Sequence, residues 1–125
     1  MKHWILLLYL GFSVVLQAQN PASVQEAMAN YDYKTVIRLI DEESASPQLL
    51  IQKAKALKGL GRTAEALSTL QHIIIELPEN QQALVEAAEC CRQLSKFNEA
   101  LGYYRKVMEL NPEHIYAHLQ YTRLL

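Results

Sequence analysis

Cys90 and Cys91 stand side by side, and His114 and His118 stand four apart next to Glu113. These are the residue types from which a disulfide, a thiol redox centre or a metal site is built. The cysteines are poorly placed to bond each other, because adjacent residues of a helix point about 100° apart and a bridge would strain the backbone. Cys91 falls in a large inward place with Cys90 beside it, so both read as small core residues. The two histidines could face one metal ion, but a tetrahedral site needs more ligands, and neither a second pair nor a His-Glu-x-x-His run is present. There is also no glycine-rich phosphate loop, no Gly-x-Ser-x-Gly elbow and no nucleophile with an evident His and carboxylate partner. Glu42-Glu43 and Glu86 with Glu89 are carboxylate pairs of the kind that solvated helix faces carry. The expectation is a protein that is not an enzyme and holds neither cofactor nor metal.

The elements that would position these side chains repeat. Residues 47–80 and 81–114 overlay without a gap at 34 residues: Ala54 meets Ala88, Leu60 meets Leu94, Glu65-Ala66-Leu67 meets Glu99-Ala100-Leu101, and Pro78-Glu79 meets Pro112-Glu113. Ala54, Ala66, Ala88 and Ala100 are small where two helices must approach closely, and Leu50, Leu57, Leu67 and Leu70 recur around them at three- and four-residue steps. The first helix of the earlier repeat is expected to end at Gly59-Leu60-Gly61, where glycine can take a left-handed conformation, and the second to stop before Pro78. Two helices of about 12 to 15 residues joined by a short turn follow, each hairpin being stabilised mainly by stacking on its neighbour.

With Leu50 and Leu84 in the Trp place, Ala54 and Ala88 in the Gly place, Leu57 and Cys91 in the Tyr place and Pro78 and Pro112 closing each unit, the chain resembles the tetratricopeptide repeat family over roughly residues 22–125. Neither repeat has a Trp, and Lys53 stands where the pattern has Leu. The resemblance implies an all-α fold, an α-solenoid of stacked antiparallel helix hairpins. Within it, residues 22–46 form a divergent partial repeat, 47–80 and 81–114 full repeats, and 115–125 the first helix of a further one. In the partial repeat Val36 takes the small place and Ile40 the aromatic one, with a spacing about four residues short of the period. A short helix over residues 22–30 would be its partner. In the last helix Ala117, His118, Tyr121, Thr122 and Leu125 occupy inward places, while Leu119, Tyr121, Leu124 and Leu125 leave apolar groups on more than one side. That pattern reads as a fragment, or as a helix that another element covers.

Residues 1–18 read as a secretory signal peptide: Lys2 and His3 open it, Trp4 to Leu16 is an apolar run, and Leu16-Gln17-Ala18 offers a small residue for cleavage. The run is shorter than the roughly 17 to 25 residues of a membrane span, and no cysteine follows it for lipid attachment. The leader resembles those of exported Bacteroidota proteins, which implies the periplasm or cell envelope of a Gram-negative bacterium. The whole chain of 125 residues carries 12 basic and 13 acidic side chains. Loss of Lys2 with the leader leaves 11 against 13, a net charge of about −2. The charges are interspersed, with no tract to attract nucleic acid or an anionic membrane.

In this family the first helices of successive repeats line a concave, partner-binding face. The resemblance places there Gln48, Ile51, Gln52, Lys55 and Lys58, then Gln82, Val85, Glu86, Glu89 and Arg92, then Tyr116, Leu119, Gln120 and Arg123. Members that grip the acidic carboxy-terminus of a cytosolic chaperone use a clamp of Lys and Asn. With Glu86 and Glu89 in the second repeat that clamp is not present, and a positive shelf at Lys55 and Lys58 beside a negative one implies a partner of mixed charge or a solvated face. Three functions follow in order. The first is an exported, non-enzymatic scaffold that binds a protein or peptide in its groove, with self-association at its open carboxy-terminal end. The second is the repeat region of a larger exported enzyme or membrane signalling protein whose activity lies beyond Leu125. The third is a metal or redox module on Cys90, Cys91, His114 and His118.

Overall fold

The computed structural model describes residues 23–42 and 45–125; the expected leader at 1–18, Ala22 and Glu43 lie outside the described residues. Helices run in the order α1 (Val24–Ala29), α2 (Tyr33–Glu42), α3 (Pro47–Gly59), α4 (Thr63–Glu76), α5 (Gln81–Gln93), α6 (Phe97–Leu110) and α7 (Ile115–Leu124), with no strand among the described residues. Each helix packs on the next in sequence, and α3 also packs directly on α5. The result is an all-α stack of antiparallel hairpins, as expected.

Local chemistry sets the helix starts. Ser46 Oγ accepts the Leu49 amide, Asn80 Oδ1 accepts the Ala83 amide and His114 Nδ1 accepts the Ala117 amide, so three side-chain caps recur at the 34-residue interval. Each satisfies one of the orphan N–H groups of a helix start. His114 is therefore a capping residue. His118 Nε2 lies 2.7 Å from the Pro112 carbonyl, so both histidines of the metal hypothesis already engage the backbone.

Turns within the hairpins share one geometry. Tyr31, Gly61 and Ser95 have φ of 58°, 79° and 60°. In each case the following amide reaches back five residues: Asp32 to Ala27 at 2.9 Å, Arg62 to Leu57 at 2.8 Å and Lys96 to Cys91 at 2.8 Å. This is the closure made by a left-handed residue just past a helix end. Glycine takes that conformation freely, whereas Tyr31 and Ser95 adopt it against their Cβ sterics. Second helices stop where a proline follows: the Leu77 amide closes on Ile73 before Pro78, and the Asn111 amide closes on Val107 before Pro112.

The expected small residues Ala54, Ala66, Ala88 and Ala100 are at most 1% exposed, and Tyr104 is the largest fully buried side chain. A second, smaller core joins Ala27, Val36 and Ile40 to Ala56 on the other side of α3. Gly59 is a close approach: a Cβ there would enter the ring of Tyr33. Lys53, the departure from the family's Leu, pairs with Asp41 across the α2–α3 contact.

On α7 the sequence expectation holds in part. Ala117 is buried and Tyr121 half-buried, but His118, Thr122 and Leu125 are exposed. They stand 34 residues after Leu84, Ala88 and Cys91, which are buried beneath the α5–α6 hairpin. No described element covers the equivalent face of α7, where Pro112, Ile115, His118, Leu119 and Thr122 line a cavity of about 400 Å3 together with Glu113.

Candidate partner-binding groove

Direct bonds join the faces of the first helices. Gln48 on α3 donates to Gln82 on α5 at 3.3 Å, the same place in successive repeats. Lys58 Nζ meets Glu86 at 3.0 Å and Lys55 Nζ meets the other Glu86 oxygen at 3.7 Å. On the far side, Tyr116 of α7 donates to Glu89 of α5. The structure thus brings Gln48, Lys55, Lys58, Gln82, Glu86, Glu89 and Arg92 onto one surface spanning α3, α5 and α7, with Gln52 and Val85 half-buried in register beside them.

Three expectations need correction. Gln120, which the resemblance places on this face, is buried in α7 and is not available to a partner. Ile51 is 0% exposed and belongs to the core, because the packing of α3 against α4 and α5 turns this place inward; it offers nothing to a partner. Glu86 and Glu89 are not a solvated carboxylate pair. Glu89 is buried, and its carboxylate accepts Tyr104 Oη at 2.7 Å, Arg92 Nη2 at 2.5 Å and the Tyr116 hydroxyl. Burial alone would raise this carboxyl, but donation from Tyr116, Arg92 and Tyr104 outweighs it and leaves Glu89 below the usual glutamate value. Burial and the same bond push the Tyr116 hydroxyl up to about 12, and Tyr104 is raised for the same reasons. Reversing Glu86 and Glu89 together would therefore disturb the fold as well as the groove.

The Tyr104 hydroxyl bond escaped the sequence reading. Its signal is the change from Leu70 to Tyr104 in the equivalent buried place, since a buried hydroxyl needs an acceptor. Arg92 Nε is buried without a hydrogen-bond partner among the described residues.

Cys90 and Cys91 are free and buried. Burial pushes each thiol up to about 11, which suppresses the thiolate that redox or metal chemistry needs. Cys91 Sγ lies 3.8 Å from Glu99. Among the described residues no group of three or more His, Cys, Asp or Glu is arranged to hold a metal, and no helix is long and apolar enough to cross a membrane.

Comparison with known proteins decides the architecture at this point. Residues 81–114 match the tetratricopeptide repeat family. The first such domain of Spaghetti (RPAP3), solved with the HSP90 peptide SRMEEVD, superposes with a TM-score of 0.68 at 22% identity, covering 78% of this chain and 79% of that one. The tetratricopeptide domain of Arabidopsis OM64 gives 0.73 at 17% identity, covering 81% and 87%. Identities this low establish a shared tetratricopeptide fold. In sequence, the Vi polysaccharide biosynthesis protein TviD of Salmonella typhi is 34% identical over 61 residues, which is 49% of this chain and 7% of that protein.

Proposed function

We propose that this chain is a non-enzymatic scaffold that holds a partner protein or peptide in the groove formed by α3, α5 and α7. The observation that carries this reading is the continuous first-helix surface, tied across repeats by Gln48–Gln82, Lys58–Glu86 and Tyr116–Glu89, on a fold whose solved relative Spaghetti holds a peptide. The array divides into a partial repeat at 22–46, full repeats at 47–80 and 81–114 and a first helix at 115–125. Residues 1–18 act as a signal peptide, which places the mature chain in the periplasm or cell envelope of a Gram-negative bacterium. Partner-contacting residues are Gln48, Gln52, Lys55, Lys58, Gln82, Val85, Glu86 and Arg92, with Glu89 shaping the wall from within. Membership of a larger exported enzyme or signalling protein is the second reading, supported by the uncovered face of α7, which is also where copies of the chain would self-associate.

A photo-crosslinking amino acid at Gln82, in the groove, against one at Lys106, exposed on α6, tests the groove in cells of the source organism. Defined adducts from position 82 and none from position 106 are expected; adducts from 106 alone, or from neither, would remove the groove assignment.

A further inference from the structure

Successive helices run antiparallel, so the turns after α2, α4 and α6 share one edge of the stack and the turns after α1, α3 and α5 share the other. On the first edge Ile75 and Leu77 at the end of α4 are 77% and 41% exposed, and Ile115 at the start of α7 is 82% exposed. Large apolar side chains left in water on neighbouring turns and rimmed by polar groups mark an interaction surface. The turns are also hollow. Leu77 and Pro78 wall a cavity of about 430 Å3, and Pro112 and Ile115 wall the cavity of about 400 Å3 beside the uncovered face of α7.

Carboxylates rim both hollows. Glu76 and Glu79 line the first and Glu113 the second, all three exposed and their carboxylates without a hydrogen-bond or ion-pair partner among the described residues. They differ in this from Glu86 and Glu89, whose oxygens are taken up by lysines, hydroxyls and Arg92. No lysine or arginine lies between Gln71 and Gln82 or between Glu109 and Gln120. Lys106 sits beyond Pro78 in a separate hollow, which it shares with Glu99. This edge is therefore apolar and anionic at once.

We infer that the edge is a second docking surface, outside the concave groove, and that its occupant is a basic amphipathic segment of a partner protein. Apolar side chains of that segment enter the hollows at Leu77 and Ile115, while its lysine or arginine side chains meet Glu76, Glu79 and Glu113. Charge decides the occupant. An acidic segment would bring like charge onto three carboxylates with no cation between them, and a neutral apolar one would leave them unanswered. An anionic membrane surface is opposed in the same way.

The test is fluorescence anisotropy of the intact chain with three labelled peptides in which Leu alternates with Lys, Gln or Glu. The Lys peptide is expected to bind tightest, at least about tenfold over the Glu peptide, and to weaken several-fold as salt approaches about 1 M, where the Debye length is about 3 Å. Glu79→Gln with Glu113→Gln, exposed changes that leave the core and the Glu89 cluster intact, is expected to cost about tenfold for the Lys peptide and little for the Gln peptide. Ile75→Ser with Ile115→Ser is expected to weaken the Lys and Gln peptides alike. Circular dichroism of both variants checks that they are folded. Equal or tighter binding of the Gln or Glu peptide, no binding of the Lys peptide, or a Lys peptide indifferent to either pair of substitutions overturns the assignment. The groove is tested separately by the position-82 crosslinks.

Discussion

Glu89 accepts three side-chain hydrogen bonds, and its stability effect has a definite sign. Its folded value lies below the ordinary 4.5, so the stabilisation it contributes is fully present above that value and is lost as pH falls through the lowered folded value. Urea unfolding from pH 7 to pH 3 is expected to show an acid limb that flattens in Glu89→Gln, a variant that keeps an acceptor but does not titrate. An unchanged limb would mean that other carboxylates govern acid unfolding. Glu89→Ala leaves the buried Tyr104 hydroxyl without its acceptor and is expected to cost about 2 to 3 kcal/mol at neutral pH, far more than loss of an exposed ion pair. The inward places of Ala54, Ala66, Ala88, Ala100 and Cys91 were legible in sequence because burial follows the helical period. The partners of Glu89 were not, because Tyr104 and Tyr116 stand 15 and 27 residues away, separations that follow from how hairpins stack and not from the 34-residue repeat.

Helix boundaries were the most legible feature at the scale of elements. Gly61 and the prolines at 78 and 112 mark ends that local sterics enforce wherever the tertiary structure lies. Less legible was that Ser95 and Tyr31 occupy the Gly61 place, since their residue types argue against a left-handed conformation. That substitution yields a paired prediction. Ser95→Gly is expected to raise stability by about 0.5 to 1 kcal/mol, relief of the left-handed strain exceeding the added entropy of the unfolded chain, and Gly61→Ala to lower it by about 1 kcal/mol. Chemical denaturation of the two variants checks this directly. If Ser95→Gly is neutral or harmful, the Ser95 hydroxyl contributes more than its backbone conformation costs.

At the scale of the molecule the stack is not uniform. Seventeen buried residues from α3 to α7 form one core, whereas the amino-terminal hairpin relies on Ala27, Val36 and Ile40 against Ala56. A repeat array is stabilised by its units and their nearest-neighbour contacts, so an end unit with a small core opens before the rest. The α2–α3 contact is reinforced by the Asp41–Lys53 pair and the Tyr33–Gly59 approach, but an exposed pair adds little. Ile40→Ala removes the largest side chain of that smaller core, and a large-to-small change at a buried site costs about 2 to 5 kcal/mol. A loss of that size exceeds what four buried residues can absorb, so α1 and α2 are expected to lose amide protection in native-state hydrogen exchange while α4 to α6 keep theirs. Because the proposed groove uses α3, α5 and α7, such a variant should still give the position-82 crosslinks. Should protection fall along the whole chain together, the two cores act as one cooperative unit, and groove geometry would then depend on the amino-terminal hairpin.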